Sequence, residues 1–266
     1  MPIVSQKPYY DQDGIRVFWT DCRDFVPVVP YDFIFADPPF NIGQAYEGYK
    51  DNLTRDAYEQ FTATWVDHVW KLCDGVMALH GPDDLVGLYL QAARSLKMTR
   101  IAWINWHYRF GQCNRTNWID ARCHCLIYAR GNCPGWTFTF NEEEVLVESD
   151  RASKYGDTRV DDTERGGMRL PGTVWGVPSD GPYWGRVQGN NKERVEGCPN
   201  QLPEVYLERL IRAYTNPGDR ILDPFGGSGT TAVVAKALGR KCDTLDVGEA
   251  CCESISKRLE RGAVRC

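Results

Sequence analysis

Several features that mark whole classes of protein are absent from this sequence of 266 residues. No run of apolar residues is long enough to span a membrane, and residues 1–30 lack the pattern of a signal peptide. Internal repeats and low-complexity tracts are also missing. We therefore expect a globular protein with no membrane partner, and we exclude the fibrous and disordered classes.

An excess of basic residues is missing too. The chain has 31 Lys and Arg against 36 Asp and Glu, which gives a formal net charge of −5. A protein that simply coats nucleic acid would be basic, so any contact with a polyanion has to come from a local patch. The length suits one large domain, or one domain that carries an insert.

Metal-binding and disulfide patterns are lacking, although the chain has 11 cysteines. No two cysteines have the CxxC spacing, and none of the 4 histidines has a partner at metal-ligand spacing. The densest group consists of Cys113, Cys123, His124, Cys125 and Cys133, and its role stays open. We expect no metal and no disulfide, and we interpret the cysteines as reduced, buried thiols of a cytosolic enzyme.

What the chain does have is an alternation of short apolar strands and amphipathic helices. Strands are predicted at 15–19, 31–36, 75–79, 101–105, 123–129, 220–222 and 242–246. Apolar residues at steps of three or four predict helices over 58–72, 85–96, 203–214, 230–238 and 252–259. Polar residues 41–54 predict a loop. Strands separated by helices imply an α/β fold with a mostly parallel sheet and helices on both faces.

Residues 141–197 break this alternation. They are rich in Gly, Asp and Arg and only weakly periodic, which predicts an insert or mobile lobe outside the packed sheet. We therefore divide the chain into a main domain, made of residues 1–140 and 198–266, and a small insert at 141–197.

A glycine-rich loop, residues 223–229 with the sequence DPFGGSG, lies between a predicted strand and a predicted helix. Its glycines let the backbone turn sharply and approach a ligand at the carboxyl end of the sheet. The next strand ends in Asp246, which is placed to accept hydrogen bonds from ribose hydroxyls. The loop is neither a Walker A nor a GxGxxG sequence, so a nucleotide-like cofactor is indicated and phosphate binding is not. The alternative is a tight turn with no ligand.

A second motif, Asp37-Pro38-Pro39-Phe40, follows another predicted strand. Neither proline has an N–H, so their carbonyls are free to face a ligand beside the Asp37 carboxylate and the Phe40 ring. Acceptors next to an aromatic face suit a planar ring that bears an exocyclic amino group. Taken alone, these residues also fit an ordinary turn.

Together the two motifs resemble the DNA amino-methyltransferases, which methylate adenine at N6 or cytosine at N4. That family has Asp, Asn or Ser before Pro-Pro and an aromatic residue, and here this motif precedes the cofactor loop, as in the permuted β class. The resemblance covers about residues 13–130 and 198–262. It includes Thr20-Asp21-Cys22, at the place of a Gly-Asp whose acid contacts the cofactor's adenine, and residues 198–203 (CPNQLP), similar to the family's His-Pro-x-Gln-x-Pro.

The sequence departs from the family pattern at three places. Cys198 replaces the usual His, which affects one contact on the cofactor side. Asp243 and Thr244 replace small apolar residues and indicate an unusual strand environment. The segment around 122–125 lacks a Glu that is often seen there.

The resemblance implies a Rossmann-like methyltransferase fold with S-adenosylmethionine as the cofactor. Asp37, Pro38, Pro39 and Phe40 would form the catalytic motif: the Asp37 carboxylate and the Pro38 carbonyl would hold the amino hydrogens, and Phe40 would stack on the base. The implied cofactor-binding residues are Asp21, Cys22, Asp37, Asp223, Pro224, Phe225, Gly227, Ser228, Gly229, Thr230 and Asp246.

The implied substrate is a base in double-stranded DNA, which must be flipped out of the duplex at a cost of roughly a few kcal/mol. We predict adenine N6, because Asp in the first position is commoner in the adenine enzymes of this family and Ser in the cytosine ones. The alternatives are a cytosine-N4 enzyme, an RNA or protein amino-methyltransferase, and a non-catalytic DNA-binding relative. Intact Asp37, Phe40 and Asp223 argue against the last of these.

Contacts with DNA have to come from local groups of basic residues. Residues 91–130 hold seven basic residues and one acid, interleaved with Trp103, Trp106, Tyr108, Phe110 and Trp118. This pattern fits a phosphate-binding surface with stacking groups, or else core aromatics beside a solvated basic face. The loop Gln44–Asp51 is placed to close over DNA.

The insert is assigned to target recognition because of its position between the two motifs, not because of its charge. Its candidate base or phosphate readers are Arg151, Lys154, Arg159, Arg165, Arg169 and Arg186. Over the whole chain, the DNA contacts we predict are Arg109, Arg115, Arg122, Arg165, Arg169 and Arg186. Dimerisation is common among similar enzymes, so a homodimer is expected, while the sequence leaves open whether a separate restriction endonuclease is a partner. The resemblance further implies a cytoplasmic location in a prokaryotic or phage-like source.

Overall fold

The computed structural model of the protein describes residues 7–108, 116–130, 138–160 and 165–266. The strands in these ranges are β1 (Tyr10–Gln12), β2 (Ile15–Trp19), β3 (Tyr31–Ala36), β4 (Ala45–Tyr46), β5 (Tyr49–Lys50), β6 (Cys73–Gly81), β7 (Thr99–His107), β8 (Arg122–Ala129), β9 (Val147–Glu148), β10 (Met168–Arg169), β11 (Val174–Trp175), β12 (Arg220–Asp223) and β13 (Lys241–Asp246). The α-helices are α1 (Arg55–Lys71), α2 (Asp83–Ser95), α3 (Asp150–Ser153), α4 (Glu204–Tyr214), α5 (Thr230–Ala237) and α6 (Glu249–Arg261). Each predicted strand and helix of the main domain is present, with ends shifted by a few residues.

A nine-stranded sheet in the order β1-β2-β13-β12-β3-β6-β8-β7-β11 organises the molecule. Five neighbouring strands in the centre are parallel to one another: β2, β13, β12, β3 and β6. Strand β11 is parallel to β7. Strand β8 runs antiparallel between β6 and β7, and β1 is antiparallel at the edge. The predicted Rossmann-like, mostly parallel sheet is therefore confirmed.

Helices cover both faces of this sheet because successive side chains of a strand point to opposite sides. In β3, Phe33 and Phe35 belong to a buried cluster that also contains residues of α4, α5 and α6. Their neighbour Ile34 belongs to the opposite cluster, which contains residues of α1 and α2. Because these strands are buried on both faces, their sequences are nearly continuous runs of apolar residues.

Helix α1 illustrates how the sequence sets these elements. The Thr54 hydroxyl accepts a hydrogen bond from the Ala57 N–H at 3.4 Å and caps the first turn. Trp65 and Val69, at helical spacing, are completely buried against the sheet. Leu72, which the periodicity placed in the helix, is its C-terminal cap.

The prediction that 141–197 lies outside the packed sheet is wrong. Strand β11 from this segment pairs in parallel with β7 and extends the main sheet. The side chains of Val145, Trp175 and Trp184 are buried in the same cluster as β3. A strand of only two residues leaves no period to detect, and its anchoring depends on tryptophans that pack against distant residues.

The polar segment 41–54 also differs from its prediction as a loop. It contains the hairpin of β4 and β5, in which Ala45 pairs with Lys50 and Tyr46 with Tyr49. The buried Asp51 carboxylate accepts backbone hydrogen bonds from Asn41, Ile42 and Gln44 at 2.7 to 3.1 Å. These bonds replace the apolar core that a short polar hairpin lacks. Within the described ranges, we find no helix with the length and apolar character needed to cross a membrane.

Candidate active site

The two sequence motifs meet at the carboxyl ends of the central strands. Because β2, β13, β12 and β3 are parallel neighbours, the residues at or just beyond their ends share one edge of the sheet. A cavity of about 330 Å³ opens there, and it is called the large cavity below. The predicted site residues on its wall are Asp21, Cys22, Asp37, Pro38, Pro39, Phe40, Asp223, Pro224, Phe225, Gly227, Ser228, Thr230 and Asp246.

Gly229 is the predicted cofactor residue that does not line this cavity. It is the residue before α5, has φ +74°, and faces Ile255 of α6. A side chain built on Gly229 would place its Cβ 3.0 Å from Ile255. Gly229 therefore serves the turn into α5 and the packing of α6 on the loop.

The glycine loop is held close to β13 by contacts that exclude a side chain. A Cβ at Gly226 would lie 2.5 Å from the Thr244 Oγ1, closer than real Cβ contacts. The Gly226 N–H donates to the Leu245 carbonyl at 2.7 Å. Thr244, one of the departures from the family pattern, thus lies directly behind the loop, so that only glycine fits at 226.

Asp246 and Asp21, the acidic residues predicted to contact the ribose and the adenine of the cofactor, both lie on the wall of the large cavity. The Asp246 carboxylate accepts hydrogen bonds from the Gly227 N–H at 2.9 Å and the Gly248 N–H at 2.8 Å. Burial nevertheless raises the pKa of Asp246. Burial also raises the pKa of Asp21, but hydrogen bonds from Arg23 outweigh it and hold that pKa below its ordinary value. Both carboxylates face the large cavity.

Asp37 is the least satisfied carboxylate of the site. Its Oδ1 atom is buried and has no hydrogen-bond partner among the described residues. Burial, and then the charge of Asp223, raise the pKa of Asp37 well above its ordinary value. Burial also raises the pKa of Asp223 to about 6, although hydrogen bonds from Thr231 and the Phe225 N–H lower it. A donor or a cation in the cavity would compensate both groups.

The two proline carbonyls do not have the same role. The Pro39 carbonyl accepts a hydrogen bond from the Tyr58 hydroxyl of α1 at 2.6 Å, so the expectation that both carbonyls are free is wrong. The reason is that α1 packs directly behind the motif and places Tyr58 within reach. Pro38 lines the large cavity. The predicted pair of acceptors, the Asp37 carboxylate and the Pro38 carbonyl, is thus compatible with the structure.

A smaller cavity of about 50 Å³ adjoins the large one on the other side of Asp37. The two cavities share Asp37, Phe40 and Asn200, so these residues lie between them. Aromatic side chains, Trp106 and Tyr108 among them, line the small cavity, together with Arg186 from the segment 141–197. Its wall also includes His80, whose pKa burial lowers to about 3, so its ring is neutral at pH 7. The small cavity thus has several aromatic side chains on its wall, one cationic residue, and the Asp37 carboxyl group.

The β4–β5 hairpin forms part of the wall of the large cavity. Tyr46, Glu47 and Tyr49 line it, and the Glu47 carboxylate accepts a hydrogen bond from the Ala250 N–H of α6 at 2.9 Å. A Cβ at Gly48 would lie 2.8 Å from the Val247 carbonyl, which shows how closely the hairpin approaches the end of β13. The segment that was predicted to close over DNA therefore contacts the cofactor side of the site.

Three of the four predicted DNA-binding arginines that the structure describes are paired with carboxylates. Arg122 pairs with Asp83 at 2.7 Å, Arg165 with Glu142 at 2.8 Å, and Arg169 with Asp150 at 3.8 Å. Lys154 and Arg159 likewise pair with Asp150 and Asp157. Arg109 and Arg115 lie outside the described residues. Arg186 is the predicted DNA contact in the described ranges that lines a cavity at the site.

The aromatic residues of 91–130 divide between core and surface. Trp106 and Tyr108 are buried, whereas Trp118 is 88% exposed. Trp103 is half-buried and donates to the His124 Nδ1 at 3.0 Å. Phe110 lies outside the described residues. The alternative of core aromatics therefore holds for Trp106 and Tyr108.

The described cysteines are free thiols, and most are buried. Cys123 and Cys125 lie in β8, while Cys113 and Cys133 are outside the described residues. The His124 Nδ1 accepts a hydrogen bond from the Trp103 indole N–H, and its Nε2 donates to the Asp83 carboxylate. Within the part of the chain that the structure describes, no group of three or more acidic, His or Cys side chains is arranged to hold a metal.

Several residues of the site carried no signal in the sequence. Tyr46, Glu47, Asn200 and Cys251 line the large cavity, but each is isolated from the two motifs along the chain. Asn200 has φ +56°, a conformation that asparagine tolerates better than other side chains. The CPNQLP segment contains Asn200, and the predicted loop Gln44–Asp51 contains Tyr46 and Glu47, but no pattern singled out these residues within their segments.

The large cavity fits a cationic cofactor with ribose and adenine groups. The unpartnered Asp37 Oδ1 and the buried Asp223 favour positive charge, and Asp246 and Asp21 supply acceptors for hydroxyl and amino groups. The absence of a side chain at Gly226 lets the loop, which forms part of the cavity wall, lie directly against Thr244 of β13. The residues present therefore fit S-adenosylmethionine, the cofactor that the sequence resemblance implies.

Comparison with known proteins agrees with this chemistry. The sequence profile of a family described as DNA methylase matches residues 31–258. Type II methyltransferase M.BamHI of Bacillus amyloliquefaciens is 30% identical over 272 aligned positions, which cover 97% of this chain and 60% of that protein. The chain thus spans less than two thirds of this relative's length.

A second relative and a solved structure complete the comparison. DNA adenine methyltransferase YhdJ of Escherichia coli strain K12 is 28% identical over 246 positions, covering 88% of this chain and 78% of that protein. The structure of PvuII DNA methyltransferase (cytosine-N4-specific) superimposes with a TM-score of 0.70 over 94% of this chain and 88% of that one. At 16% identity, this similarity shows a shared fold.

Proposed function

Because the chain belongs to the N6/N4 DNA methylase family, we propose that it transfers a methyl group to the exocyclic amino group of a base flipped out of duplex DNA. The single observation that carries the proposal is the position of Asp37. Its buried, unpartnered Oδ1 lies between a large cavity with acidic walls and a small cavity with aromatic walls. A methyl donor in the first and a base in the second would meet at this carboxylate.

S-adenosylmethionine is the cofactor in this proposal, and when bound it supplies a reactive methyl group on a sulfonium. Asp246 would accept hydrogen bonds from the ribose, and Asp21 would contact the adenine. The glycine loop allows close approach of the backbone, and the hairpin with Glu47 covers the site from the side of α6. These contacts fix the position of the donor, and positioning is a large part of the catalysis.

Asp37 and Pro38 act on the amino group that receives the methyl. An aromatic amino group is a poor nucleophile, because its lone pair is delocalised into the ring. The Asp37 Oδ1 and the Pro38 carbonyl can each accept one amino hydrogen, which favours a pyramidal nitrogen with an available lone pair. The raised pKa of Asp37 also makes it a better acceptor for the proton that the nitrogen must lose after transfer.

Phe40 holds the ring that carries this amino group. It lines both cavities, so a base in the small cavity would lie against its face. Pro39 contributes differently, since its carbonyl is bonded to Tyr58 and thereby fixes the motif on α1. The four residues of the motif thus divide into two acceptors, one stacking face and one structural anchor.

Adenine N6 is the target that we propose. The motif begins with Asp37, as is commoner among the adenine enzymes of the family, and the relative YhdJ is an adenine methyltransferase. Cytosine N4 is the alternative within the same chemistry, since both bases present an amino group beside a ring nitrogen. The modified nucleoside distinguishes them directly.

Duplex DNA is the proposed partner, and residues 141–197 are the proposed target-recognition part. Arg186 brings this segment to the small cavity, which supports a role close to the target base. The bacterial sources of the relatives support a cytoplasmic location. A homodimer stays a prediction from the family resemblance, and the sequence leaves a separate restriction endonuclease open.

The proposal is tested by incubating the protein with labelled S-adenosylmethionine and unmethylated plasmid DNA, then hydrolysing the DNA and identifying the nucleoside. We expect N6-methyladenine; N4-methylcytosine alone would refute the choice of base, and an unmodified plasmid would refute the function. Asp37→Ala should reduce transfer by roughly 10²–10³-fold or more while cofactor still binds in calorimetry. Its folded state should not be less stable, because the lost Oδ1 is buried without a partner. Full transfer by this variant would remove Asp37 from its assigned role.

A further inference from the structure

Arg186 forms part of the wall of the small cavity. Its guanidinium stacks on the Tyr108 ring, with 4.7 Å between the central carbon and the ring centroid. One of its nitrogens donates to the Asn200 Oδ1 at 3.2 Å. None of the ion pairs in residues 7–108, 116–130, 138–160 and 165–266 includes Arg186. A stacking contact and one weak hydrogen bond therefore hold this side chain in place.

Asn200 connects Arg186 to the other side of the site. Its left-handed backbone, at φ +56°, turns the residue into the space between the two cavities. The Tyr46 hydroxyl of the hairpin lies beside its side chain. Tyr46, Asn200 and Arg186 thus form a bridge from the β4–β5 hairpin to the segment 141–197.

The small cavity is too narrow for a base while this bridge is closed. Its volume of about 50 Å³ corresponds to roughly four water molecules, and a nucleobase has more heavy atoms than that. Two aromatic residues of the wall are held firmly: Trp106 is buried and bonded to the Trp184 carbonyl, and His80 is buried and bonded to Tyr206. Arg186 is half-buried and reaches solvent, so its side chain can leave the wall without disrupting the core.

We propose that Arg186 is a gate for the target base. In the free protein its guanidinium occupies the stacking position on Tyr108. When the base enters, Arg186 swings out, and the base takes its place beside Tyr108 and Phe40 with the amino group at Asp37. The proposal rests on the proposed function and adds to it the residue that controls entry of the base.

A gate has a consequence opposite to that of an ordinary DNA contact. If the pocket is open only for a fraction of the time, the apparent affinity for DNA equals the affinity of the open form multiplied by that fraction. Removing the stacking contact and the hydrogen bond should therefore tighten DNA binding, by roughly 5- to 50-fold. Removing a phosphate contact would instead weaken binding and lower its salt dependence by about one counterion.

The test measures the dissociation constant of DNA for the whole protein saturated with S-adenosylhomocysteine. The methylated site is first mapped on plasmid DNA treated with the wild-type protein, and a duplex oligonucleotide with that site is then the probe. Arg186→Ala opens the gate, and Arg186→Lys keeps the charge while losing the planar stacking group. Asn200→Gly removes the hydrogen bond between Asn200 and Arg186 and keeps the left-handed backbone. Arg194→Ala is the matched control, because Arg194 is exposed on the same segment and its guanidinium donates to the Gly189 carbonyl, away from both cavities.

We expect tighter binding for Arg186→Ala, a smaller gain in the same direction for Arg186→Lys and Asn200→Gly, and no gain for Arg194→Ala. Cofactor affinity should stay unchanged in the two Arg186 variants. Weaker binding with a reduced salt slope, or a change equal to that of the control, would overturn the gate while leaving the methyltransferase proposal intact. If the wild-type protein methylates no DNA, both proposals fall together.

Discussion

A buried ion pair beneath the glycine loop provides the sharpest test of how this site is supported. Arg258 of α6 and Glu204 of α4 are 1% and 0% exposed, and their charged groups lie 2.9 Å apart. Arg258 also donates to the Ser228 carbonyl at 3.0 Å and to the Thr230 Oγ1 at 2.9 Å. One guanidinium thus joins the cofactor loop to two helices.

Replacing Arg258 by Ala should destabilise the protein strongly. The substitution leaves Glu204 buried without its cation, which costs roughly 3–5 kcal/mol. For a domain of this size, that loss corresponds to a fall in Tm of roughly 6–20 °C. Because the Ser228 carbonyl and the Thr230 hydroxyl lose a donor as well, the affinity for S-adenosylmethionine should decrease together with stability.

Urea unfolding followed by circular dichroism measures the change in the free energy of unfolding, and calorimetry measures cofactor affinity. Lys257→Ala is a matched control, since Lys257 is the adjacent residue on α6 and forms an exposed pair with Glu253 at 2.6 Å. The control should leave the unfolding midpoint unchanged, because exposed pairs contribute little. The double variant Arg258→Met with Glu204→Gln should recover part of the loss, because no unpaired charge is left. A loss for Arg258→Ala no larger than that of the control would refute the reasoning.

Two further predictions concern the acidic wall and the glycine loop. Burial raises the pKa of Asp223 to about 6 and that of Asp37 well above its ordinary value, and a cationic cofactor favours their ionised forms. Binding of the cofactor should therefore release protons, and cofactor affinity should fall as the pH decreases through about 6. Calorimetry in buffers of different ionisation enthalpy measures the number of protons released. A constant affinity from pH 5 to pH 8 would contradict the prediction. Gly226→Ala places a Cβ 2.5 Å from the Thr244 Oγ1, so it should destabilise the fold by roughly 1–3 kcal/mol and weaken cofactor binding. Gly172→Ala, where a Cβ meets open space, is its control in thermal unfolding, and equal Tm values for the two variants would contradict the packing argument.

The main domain was predictable from the sequence because its signals are local. In α1, the cap Thr54 and the buried face with Trp65 and Val69 lie within a few turns of one another. The strands are buried on both faces, so each reads as an apolar run whatever its neighbours are. The two motifs end adjacent parallel strands, and the topology of such sheets brings those ends to one edge.

Asp243 and Thr244 depart from the family pattern, and their contacts could not be inferred from neighbouring residues in the sequence. Asp243 is buried and accepts two hydrogen bonds from Arg16, at 2.7 and 2.6 Å, and one from the Tyr31 hydroxyl. These two donors lie on β2 and β3, on either side of the β12–β13 pair, and Arg220 of β12 adds a third at 3.4 Å. No residue near position 243 in the sequence predicts these hydrogen-bond donors, so the sequence showed only that an acid in a central strand is unusual.

Periodicity and motif order, which depend on neighbours along the chain, were enough to establish the parallel sheet, the two motifs and the chemistry to expect from Asp37. Contacts between residues far apart required the folded chain: Arg186 on Tyr108, Arg258 with Glu204, Tyr58 on the Pro39 carbonyl, and the strand Val174–Trp175 at the sheet edge. The physical reason is that a side chain's pattern along a helix or strand reports which face is buried, whereas its partner across the fold depends on how whole elements pack.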